Sequence, residues 1–353
     1  MSSPGNPPVT NHARVSDVGE RALIERIRRR VPAAPRELLV GIGDDAAVAV
    51  PDRGTLQVLT TDALVEGIHF DRRFSTPSDI GYKALAVNVS DVASMGGAPR
   101  FALLSLMLPA GITQEDVDGL LDGLLELAGE TRVHLAGGNI TRSPGPLVVD
   151  VTVVGSVKPR KILTRSGARP GDVLYVTGML GAAAAGLGWL QARADTPLRD
   201  SVIARPSDPA MADCVARYCR PEPRARIGAL LGRTRAASAC MDLSDGLADA
   251  VTQLAAASGT GATIDAALLP LHPAARDWFG AAGDDPVSAC VAGGDDYELL
   301  FAVPRRTRNR LRGVIQESRG VSITRIGELT PGGSVALARA GRLEALPPGF
   351  VHF

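Results

Sequence analysis

A segment rich in proline, glycine and basic residues, KPRKILTRSGARPGD (158–172), divides the sequence into two parts that each alternate apolar strands with helices. Such a segment is typical of a domain boundary, and the strand pattern restarts after it at VLYVTG. A chain of 353 residues also exceeds what one hydrophobic core usually fills. We therefore predict two α/β domains, residues 16–157 and 158–353. Residues 1–15 are polar and rich in proline, and we expect a disordered leader there.

Hydrophobic periodicity predicts a mixed α/β domain in the first part. Ser16 is predicted to cap a helix that ends in RIRRR, and Ser78 to cap a long helix over DIGYKALAVNVSDVASMGG. Runs of β-branched and other apolar residues predict strands at LLVGIGDDAAVAV, LQVLTTDALV, FALLSLMLP and LVVDVTVVGSV. The segment AGGNITRSPG (136–145) is interpreted as a loop, because paired glycines are typical of a turn.

Composition excludes several classes of protein. Lys+Arg and Asp+Glu both number 38, so the formal net charge is zero and no overall field attracts nucleic acid or an anionic membrane. No stretch approaches the length of a membrane span, and the N-terminus lacks the apolar segment of a signal peptide. We therefore expect a cytoplasmic protein that binds neither nucleic acid nor membrane. The cysteines form no C-x-x-C pair and are interpreted as buried thiols of a reducing compartment: Cys214, Cys219, Cys240 and Cys290.

Acidic side chains lie where apolar strands and helices of the first part become polar. Asp45 follows a glycine and another aspartate after an apolar run, and Asp62 ends LQVLTTD with Thr60 and Thr61 beside it. Asp91 lies in NVSD, within the long predicted helix. Three separate elements thus present acidic groups at comparable positions, which is the arrangement that a shared polar site requires.

The second part adds Asp242 and Asp245 in MDLSDGLAD, and Asp295 in AGGDDYELLF. Each motif alone also fits a structural interpretation, because Gly-Asp-Asp and Asp-Gly are common in turns and helix N-caps. Together, however, clustered carboxylates repel one another unless cations neutralise them, and Mg²⁺ accepts carboxylate, water and phosphate oxygens. The acidic pattern therefore predicts Mg²⁺ and a phosphate-bearing substrate, as in phosphoryl transfer.

Two common nucleotide-binding motifs are absent from the sequence. The P-loop spacing GxxxxGK[ST] does not occur, and no GxGxxG follows a strand to start a dinucleotide-binding unit. If the chain binds ATP, it therefore binds it by another scheme.

Seven stretches, taken in order, resemble motifs of the thiamine-monophosphate kinase family and extend from Gly41 to Phe353: GIGDDAAV, TTDALVEGIHFD, YKALAVNVSDVASMGG, LTRSGARPGDVLYVTG, DLSDGLADA, GGDDYELLF and GFVHF. The resemblance implies a two-domain α/β fold like that of aminoimidazole ribonucleotide synthetase. In that fold the mixed sheet of the N-terminal domain pairs with the same sheet of a second copy to form a homodimer, and an α/β domain follows along the chain. It also implies transfer of the γ-phosphoryl group of ATP to thiamine monophosphate, giving thiamine diphosphate with the help of several Mg²⁺ ions.

The same resemblance implies roles for individual residues. The implied metal ligands are Asp45, Thr60, Thr61, Asp62, Asp91, Asn139, Asp242 and Asp245. The implied ATP contacts are Gly138, Asn139, Arg165 and Ser244, and the implied substrate contacts are His69, Asp295 and Phe350. The residues implied to support catalysis most directly are Asp45, Asp62, Asp91, Arg165 and Asp245.

Two of these positions depart from the family pattern. Asn139 lies where the family has an aspartate, in GGDTTRS, and an amide offers an oxygen ligand without a charge. We hypothesise that Asn139 still lines the ATP–Mg²⁺ site and that one metal ion binds more weakly. Asp295 replaces the glutamate of many relatives, which shortens the side chain by one methylene group.

The implied reaction needs no protein nucleophile, because the acceptor is a phosphate monoester that is largely ionised near neutral pH. We expect direct in-line transfer. The alternatives are a relative that has lost activity or senses nucleotides, and another ATP-using enzyme of the superfamily. Selenophosphate synthetase would require a reactive cysteine or selenocysteine near the N-terminus, but the first cysteine is Cys214. The hydrogenase maturation protein would end in a cysteine, whereas this chain ends in Phe353.

Overall fold

The computed structural model describes residues 14–15, 19–194 and 206–349. The predicted leader falls almost wholly outside them, and so do the predicted cap Ser16 and the predicted substrate residue Phe350. The described helices are α1 (Glu20–Arg30), α2 (Pro77–Ser94), α3 (Gln114–Thr131), α4 (Ala182–Ala194), α5 (Pro209–Cys219), α6 (Ala225–Thr234), α7 (Leu247–Ser258), α8 (Pro273–Ala282), α9 (Pro286–Ala292) and α10 (Arg308–Gln316).

The described strands form three sheets. The strands are β1 (Leu38–Val40), β2 (Val48–Ala49), β3 (Leu56–Val65), β4 (Ala98–Leu108), β5 (His134–Arg142), β6 (Val148–Val157), β7 (Val173–Thr177), β8 (Ala239–Asp242), β9 (Gly261–Asp265), β10 (Leu299–Val303), β11 (Ile323–Thr330), β12 (Val335–Arg339) and β13 (Arg342–Ala345). A two-stranded ribbon pairs β1 with β2, a four-stranded sheet has the order β3-β6-β4-β5, and a seven-stranded sheet has the order β13-β12-β9-β11-β7-β10-β8. This mixed α/β architecture confirms the predicted fold class.

The four-stranded sheet buries one face and exposes the other. Alternate residues of β6, such as Val149 and Val151, are buried among the residues of α2 and α3, as the two-residue period of a strand requires. The opposite face carries exposed apolar side chains, with Leu59 67 % and Leu103 38 % exposed. We call this second surface the outer face. Predicted site residues lie on both faces of this sheet.

Two glycines allow α2 and α3 to pack with their backbones in contact. A Cβ atom on Gly81 would lie 1.8 Å from the carbonyl oxygen of Leu120, and one on Gly123 would lie 1.8 Å from that of Ser78. Any larger residue would push the helices apart. This close packing fixes α2, which carries Asp91 at its C-terminal end.

The structure corrects the predicted start of α2. Ser78 lies in the first turn of the helix, and Thr76 is the N-cap. The Thr76 side chain accepts the backbone N–H of Asp79 while the Asp79 side chain accepts that of Thr76, which is a complete capping box. Pro77 occupies the first helical position, where its missing N–H costs nothing.

The interpretation of AGGNITRSPG as a loop was wrong for most of its length. Residues up to Arg142 belong to β5, which runs parallel to β4. The glycines serve strand packing, since a Cβ atom on Gly138 would lie 1.8 Å from the carbonyl oxygen of Leu104. The predicted strand LLVGIGDDAAVAV is also interrupted, because only its two ends are strands, β1 and β2.

The two sheets are joined by side chains that cross between them. Tyr297, two residues before β10, is buried in the hydrophobic core of the first sheet, and Arg220, after α5, forms an ion pair with Asp79 of α2. The second sheet has its own core, formed with α7 and neighbouring helices. In the ranges described, no helix is both long and apolar enough to cross a membrane.

Candidate functional site

An acidic cluster lies where the buried face of β3, helix α2 and the end of β8 meet. We define it as Thr60, Asp62, Asp91 and Asp242. The Thr60 hydroxyl donates a hydrogen bond to Asp91, and the carboxyl groups of Asp62 and Asp91 share another. Ser90 of α2 donates to Oδ2 of Asp242 across 2.6 Å. Strand alternation explains why Thr60 and Asp62 belong to the cluster and Thr61 does not, because residues 60 and 62 point to the same face of β3.

The electrostatics of the cluster favour protonation or a bound cation. Burial and the neighbouring charges of Asp91 and Asp242 raise the pKa of Asp62 well above its usual range. Burial, followed by the charge of Asp91, likewise raises the pKa of Asp242, and burial raises that of Asp91. Carboxylates that raise one another's pKa in this way bind protons or cations more readily than exposed ones.

Arg165 places a positive charge beside the cluster. Its charge opposes the rise in pKa of both Asp91 and Asp242. Helix α7 holds this arginine at two points: Nη1 donates to Oε1 of Gln253 across 2.5 Å, and the Ser258 hydroxyl donates to the Arg165 carbonyl oxygen across 3.1 Å. A guanidinium fixed in this way can offer its remaining N–H groups to phosphate oxygens.

Two loops of the second domain lie against each other at the end of β8. The backbone N–H of Asp295 donates to the carbonyl oxygen of Ser244 across 2.7 Å, and the Ser244 hydroxyl donates to Asp245 across 3.2 Å. The chain also returns here at Gly349, where a Cβ atom would lie 2.8 Å from the carbonyl oxygen of Asp245. The structure therefore brings Ser244, Asp245 and Asp295 together, next to Asp242.

The predicted substrate residues His69 and Asp295 come from different domains but share one neighbour, Lys83 of α2. Its ammonium group donates to the carbonyl oxygen of His69 and to the carboxylate of Asp295. The imidazole Nδ1 of His69 accepts the backbone N–H of Val65 across 3.0 Å, so a neutral ring carries its proton on Nε2. We did not predict a site role for Lys83, although it is one of only three lysines in the chain.

The other predicted residues lie on the outer face of the first sheet or beside it, with Asp45 in the segment between β1 and β2 and with Gly138 and Asn139 on the edge strand β5. A groove of about 1090 Å³ extends there between helix α1 and the sheet, and its lining includes Asp45, Gly138, Asn139, Arg21 and Arg28. Its acidic and basic side chains, together with the exposed backbone of two glycine-containing segments, could hold a polar ligand such as a phosphorylated nucleotide.

Thr61 also faces the outer surface, where its hydroxyl lies 3.0 Å from Asp150 and 2.9 Å from Thr152. Asp150 links the two faces electrostatically, because its charge contributes to the raised pKa of Asp62. We missed this residue. Its signal in the sequence is a carboxylate in the middle of the β-branched strand LVVDVTVV.

The predicted site residues thus form two groups. Within the ranges that the structure describes, no hydrogen bond or ion pair joins the outer-face residues Asp45, Thr61, Gly138 and Asn139 to the acidic cluster. In the same ranges, no three Asp, Glu, His or Cys side chains converge as a set that could hold a metal ion. The donor chemistry still fits Mg²⁺, which takes one or two carboxylates and completes its shell with water and phosphate oxygens.

Comparison with known proteins identifies the family. The model for AIR synthase related proteins matches in two parts, its N-terminal domain over residues 43–157 and its C-terminal domain over residues 169–339. The thiamine-monophosphate kinase of Escherichia coli strain K12 is 39 % identical over 88 % of this chain and 90 % of its own length.

Two solved structures agree with that match. The thiamine-monophosphate kinase of Stenotrophomonas maltophilia K279a is 36 % identical with a TM-score of 0.80, covering 91 % of this chain and 96 % of that one. AaThiL complexed with AMPPCP and TMP is 32 % identical with a TM-score of 0.73, covering 98 % of this chain and all of the other. The chain therefore belongs to the thiamine-monophosphate kinase family, within the AIR synthase related proteins.

Proposed function

We propose that the protein transfers the γ-phosphoryl group of ATP to thiamine monophosphate, producing thiamine diphosphate and ADP. The observation that carries the proposal is the acidic cluster, to which both domains contribute, with Arg165 held beside it. The proposal is also supported by the similarity, over nearly the whole chain, to a protein whose structure holds AMPPCP and TMP together.

We further propose that Thr60, Asp62, Asp91 and Asp242 take part in holding Mg²⁺, with one or two of these carboxylates on any one ion and with water and phosphate oxygens completing its shell. Bound there, Mg²⁺ would supply positive charge to the phosphate oxygens. The support is the mutual rise in pKa of these carboxyl groups, because a cation relieves the repulsion that causes it. Following the family resemblance, we also assign Asp45, Thr61, Asn139 and Asp245 to metal binding. Of these residues, Asp45, Thr61 and Asn139 would have to reach the phosphates from the side of the sheet on which the groove lies.

The protein groups themselves position the reactants and balance charge. Arg165 presents a planar fork of donors to phosphate oxygens, and Ser244 adds a hydroxyl at the end of β8. No side chain is needed to activate the acceptor, since its phosphate is already ionised. We propose direct in-line transfer, with catalysis arising from positioning and electrostatic stabilisation.

The thiamine side of the site is proposed to comprise His69, Asp295 and Phe350. The first two are held close together by Lys83, and the chain approaches Asp245 at Gly349, one residue before Phe350. The nucleotide side is proposed to include Gly138 and Asn139.

We also propose a cytoplasmic homodimer with domains at 16–157 and 158–353. The exposed apolar residues of the outer face support the dimer, because pairing with a second copy would remove them from water. Dimerisation would also close the groove that Asp45, Gly138 and Asn139 line.

Product analysis tests the proposal directly. Purified protein with Mg²⁺, ATP and thiamine monophosphate should give equal amounts of ADP and thiamine diphosphate, resolved by chromatography. Omission of thiamine monophosphate should abolish ADP release. ADP release without thiamine diphosphate would contradict the kinase and point to an ATPase of the same fold.

A further inference from the structure

Lys83 is a fully buried lysine, with only 2 % of its side chain exposed. A buried ammonium group is costly unless each of its donors finds a partner. Lys83 finds three: Oδ2 of Asp295 at 3.1 Å, the carbonyl oxygen of His69 at 3.2 Å, and the face of the Tyr218 ring at 4.1 Å from its centroid. The interactions of the ammonium group are therefore all satisfied by groups of the protein itself.

The partners of Lys83 come from three separate parts of the chain. His69 follows β3, Tyr218 belongs to α5, and Asp295 precedes β10, so the lysine connects the first domain to two segments of the second. The Tyr218 hydroxyl also donates to the His69 carbonyl oxygen, across 3.3 Å. Two donors from different elements thus fix the backbone at His69.

Asp295 is held in a conformation that needs such support. Its φ is 66°, a left-handed value that is unfavourable for residues other than glycine. Tyr297, two residues later, also has a positive φ, of 47°. The Asp295 side chain is still 30 % exposed, so its carboxylate remains accessible to a bound molecule while one oxygen is held by Lys83.

We propose that Lys83 is a positioning residue for thiamine monophosphate, because its single ammonium group fixes both His69 and Asp295 at the domain boundary. This inference rests on the proposed function, in which these two residues contact the substrate. It assigns the lysine to the thiamine side and not to the phosphates of ATP, since all three of its partners lie within the protein. Loss of the ammonium should therefore weaken the binding of one substrate selectively.

The test compares Lys83→Met with Lys158→Met, the same change at an exposed lysine. Steady-state kinetics are measured with each substrate varied in turn. We expect Lys83→Met to raise KM for thiamine monophosphate by about tenfold or more, as the loss of a charged hydrogen bond implies, and to change KM for ATP by less than about threefold. Lys158→Met should change neither value, and Lys83→Arg should restore part of the loss because it keeps the charge.

A purely structural role would lower kcat or the folded fraction without separating the two KM values. An unchanged KM for thiamine monophosphate in folded Lys83→Met, or an equal rise for both substrates, would overturn the proposal. If that variant does not fold, the double variant Lys83→Met/Asp295→Asn is compared with Asp295→Asn alone, because Asp295 is itself a proposed substrate contact and Lys83 also holds His69. Equal KM values for thiamine monophosphate in these two variants would refute the role of the lysine. If the wild-type protein does not phosphorylate thiamine monophosphate at all, it is the proposed function that fails.

Discussion

At the scale of single residues, Asn139 shows that a sequence can locate the position where a charge of the family is missing. The sequence does not show what the residue does there. The sequence identified the position through its resemblance to GGDTTRS, but the structure puts the residue on a strand, beside Ser105, and in the groove that Asp45 also lines. The strand was missed because two consecutive glycines suggest a turn, whereas here they permit close packing against β4. Only the packed neighbour distinguishes these two uses of glycine.

We expect Asn139→Asp to lower the Mg²⁺ concentration needed for half-maximal activity by about three- to tenfold, since it adds a charge to a site of hard oxygen ligands. The measurement is a Mg²⁺ titration of activity at fixed ATP, together with calorimetric titration of Mg²⁺ alone. Thr141→Asp is the matched control, because it adds the same charge to an exposed position two residues along the same strand. An equal effect of both variants would mean that the charge at residue 139 acts only through the overall electrostatic field and not as a metal ligand.

Gln253 is a second residue whose role follows from geometry. It accepts from Arg165 and donates to Asp249, so it orients the guanidinium. Gln253→Leu should lower kcat/KM for ATP by about tenfold, because the arginine loses a fixed hydrogen bond to a charged group. Gln191→Leu, an exposed change of the same type in α4, should have no effect. Full activity of Gln253→Leu would show that the arginine needs no support from α7.

At the scale of elements, periodicity predicted most helices and strands correctly but misplaced their ends. The sequence indicates α2 clearly, yet serine and threonine are equally good caps, and only the reciprocal bonds of Thr76 and Asp79 select the true start. The contact between α2 and α3 was not predicted at all. Gly81 and Gly123 look like weak points of a helix until the neighbouring carbonyl groups are seen.

Gly81→Ala should lower the free energy of unfolding by about 2 to 3 kcal/mol, because the new Cβ atom meets the backbone of α3 and must separate the helices. Gly129→Ala, in α3 but with no atom within 4 Å of its Cβ position, should raise it by up to about 1 kcal/mol through helix propensity. Urea unfolding of both variants measures the difference. Equal stability of the two would show that the helix contact can adjust freely.

At the scale of the whole molecule, the sequence predicts which kind of side chain forms the site, but it does not predict how the acidic groups are distributed in space. Clustered carboxylates in ordered motifs indicated a phosphate site with Mg²⁺. The alternation along β3 nevertheless sends Thr60 and Asp62 to one face and Thr61 to the other. Which of these groups meet depends on contacts between distant segments, such as Ser90 with Asp242, which no local pattern encodes.

The site is also supported by a buried ion pair of the second domain. Arg224 donates two hydrogen bonds to Glu298, and the two side chains are only 5 % and 1 % exposed. Glu298→Gln should lower the free energy of unfolding by about 3 kcal/mol, because the buried arginine would keep only the exposed Glu222 as an ionic partner. Glu317→Gln, which breaks a largely exposed pair with Arg233, should cost less than about 1 kcal/mol. A small effect of Glu298→Gln would mean that water or another acid replaces the carboxylate.

The central claim is that carboxylates of both domains act at one phosphoryl-transfer site. The most direct measurement follows the ³²P label of γ-labelled ATP into thiamine diphosphate. We expect transfer by the wild-type protein, a loss of about 100-fold or more in both Asp62→Asn and Asp242→Asn, and no loss in Asp277→Asn, an exposed aspartate of α8. Transfer at the wild-type rate in either Asp62→Asn or Asp242→Asn, or no labelled thiamine diphosphate from the wild-type protein, would contradict it.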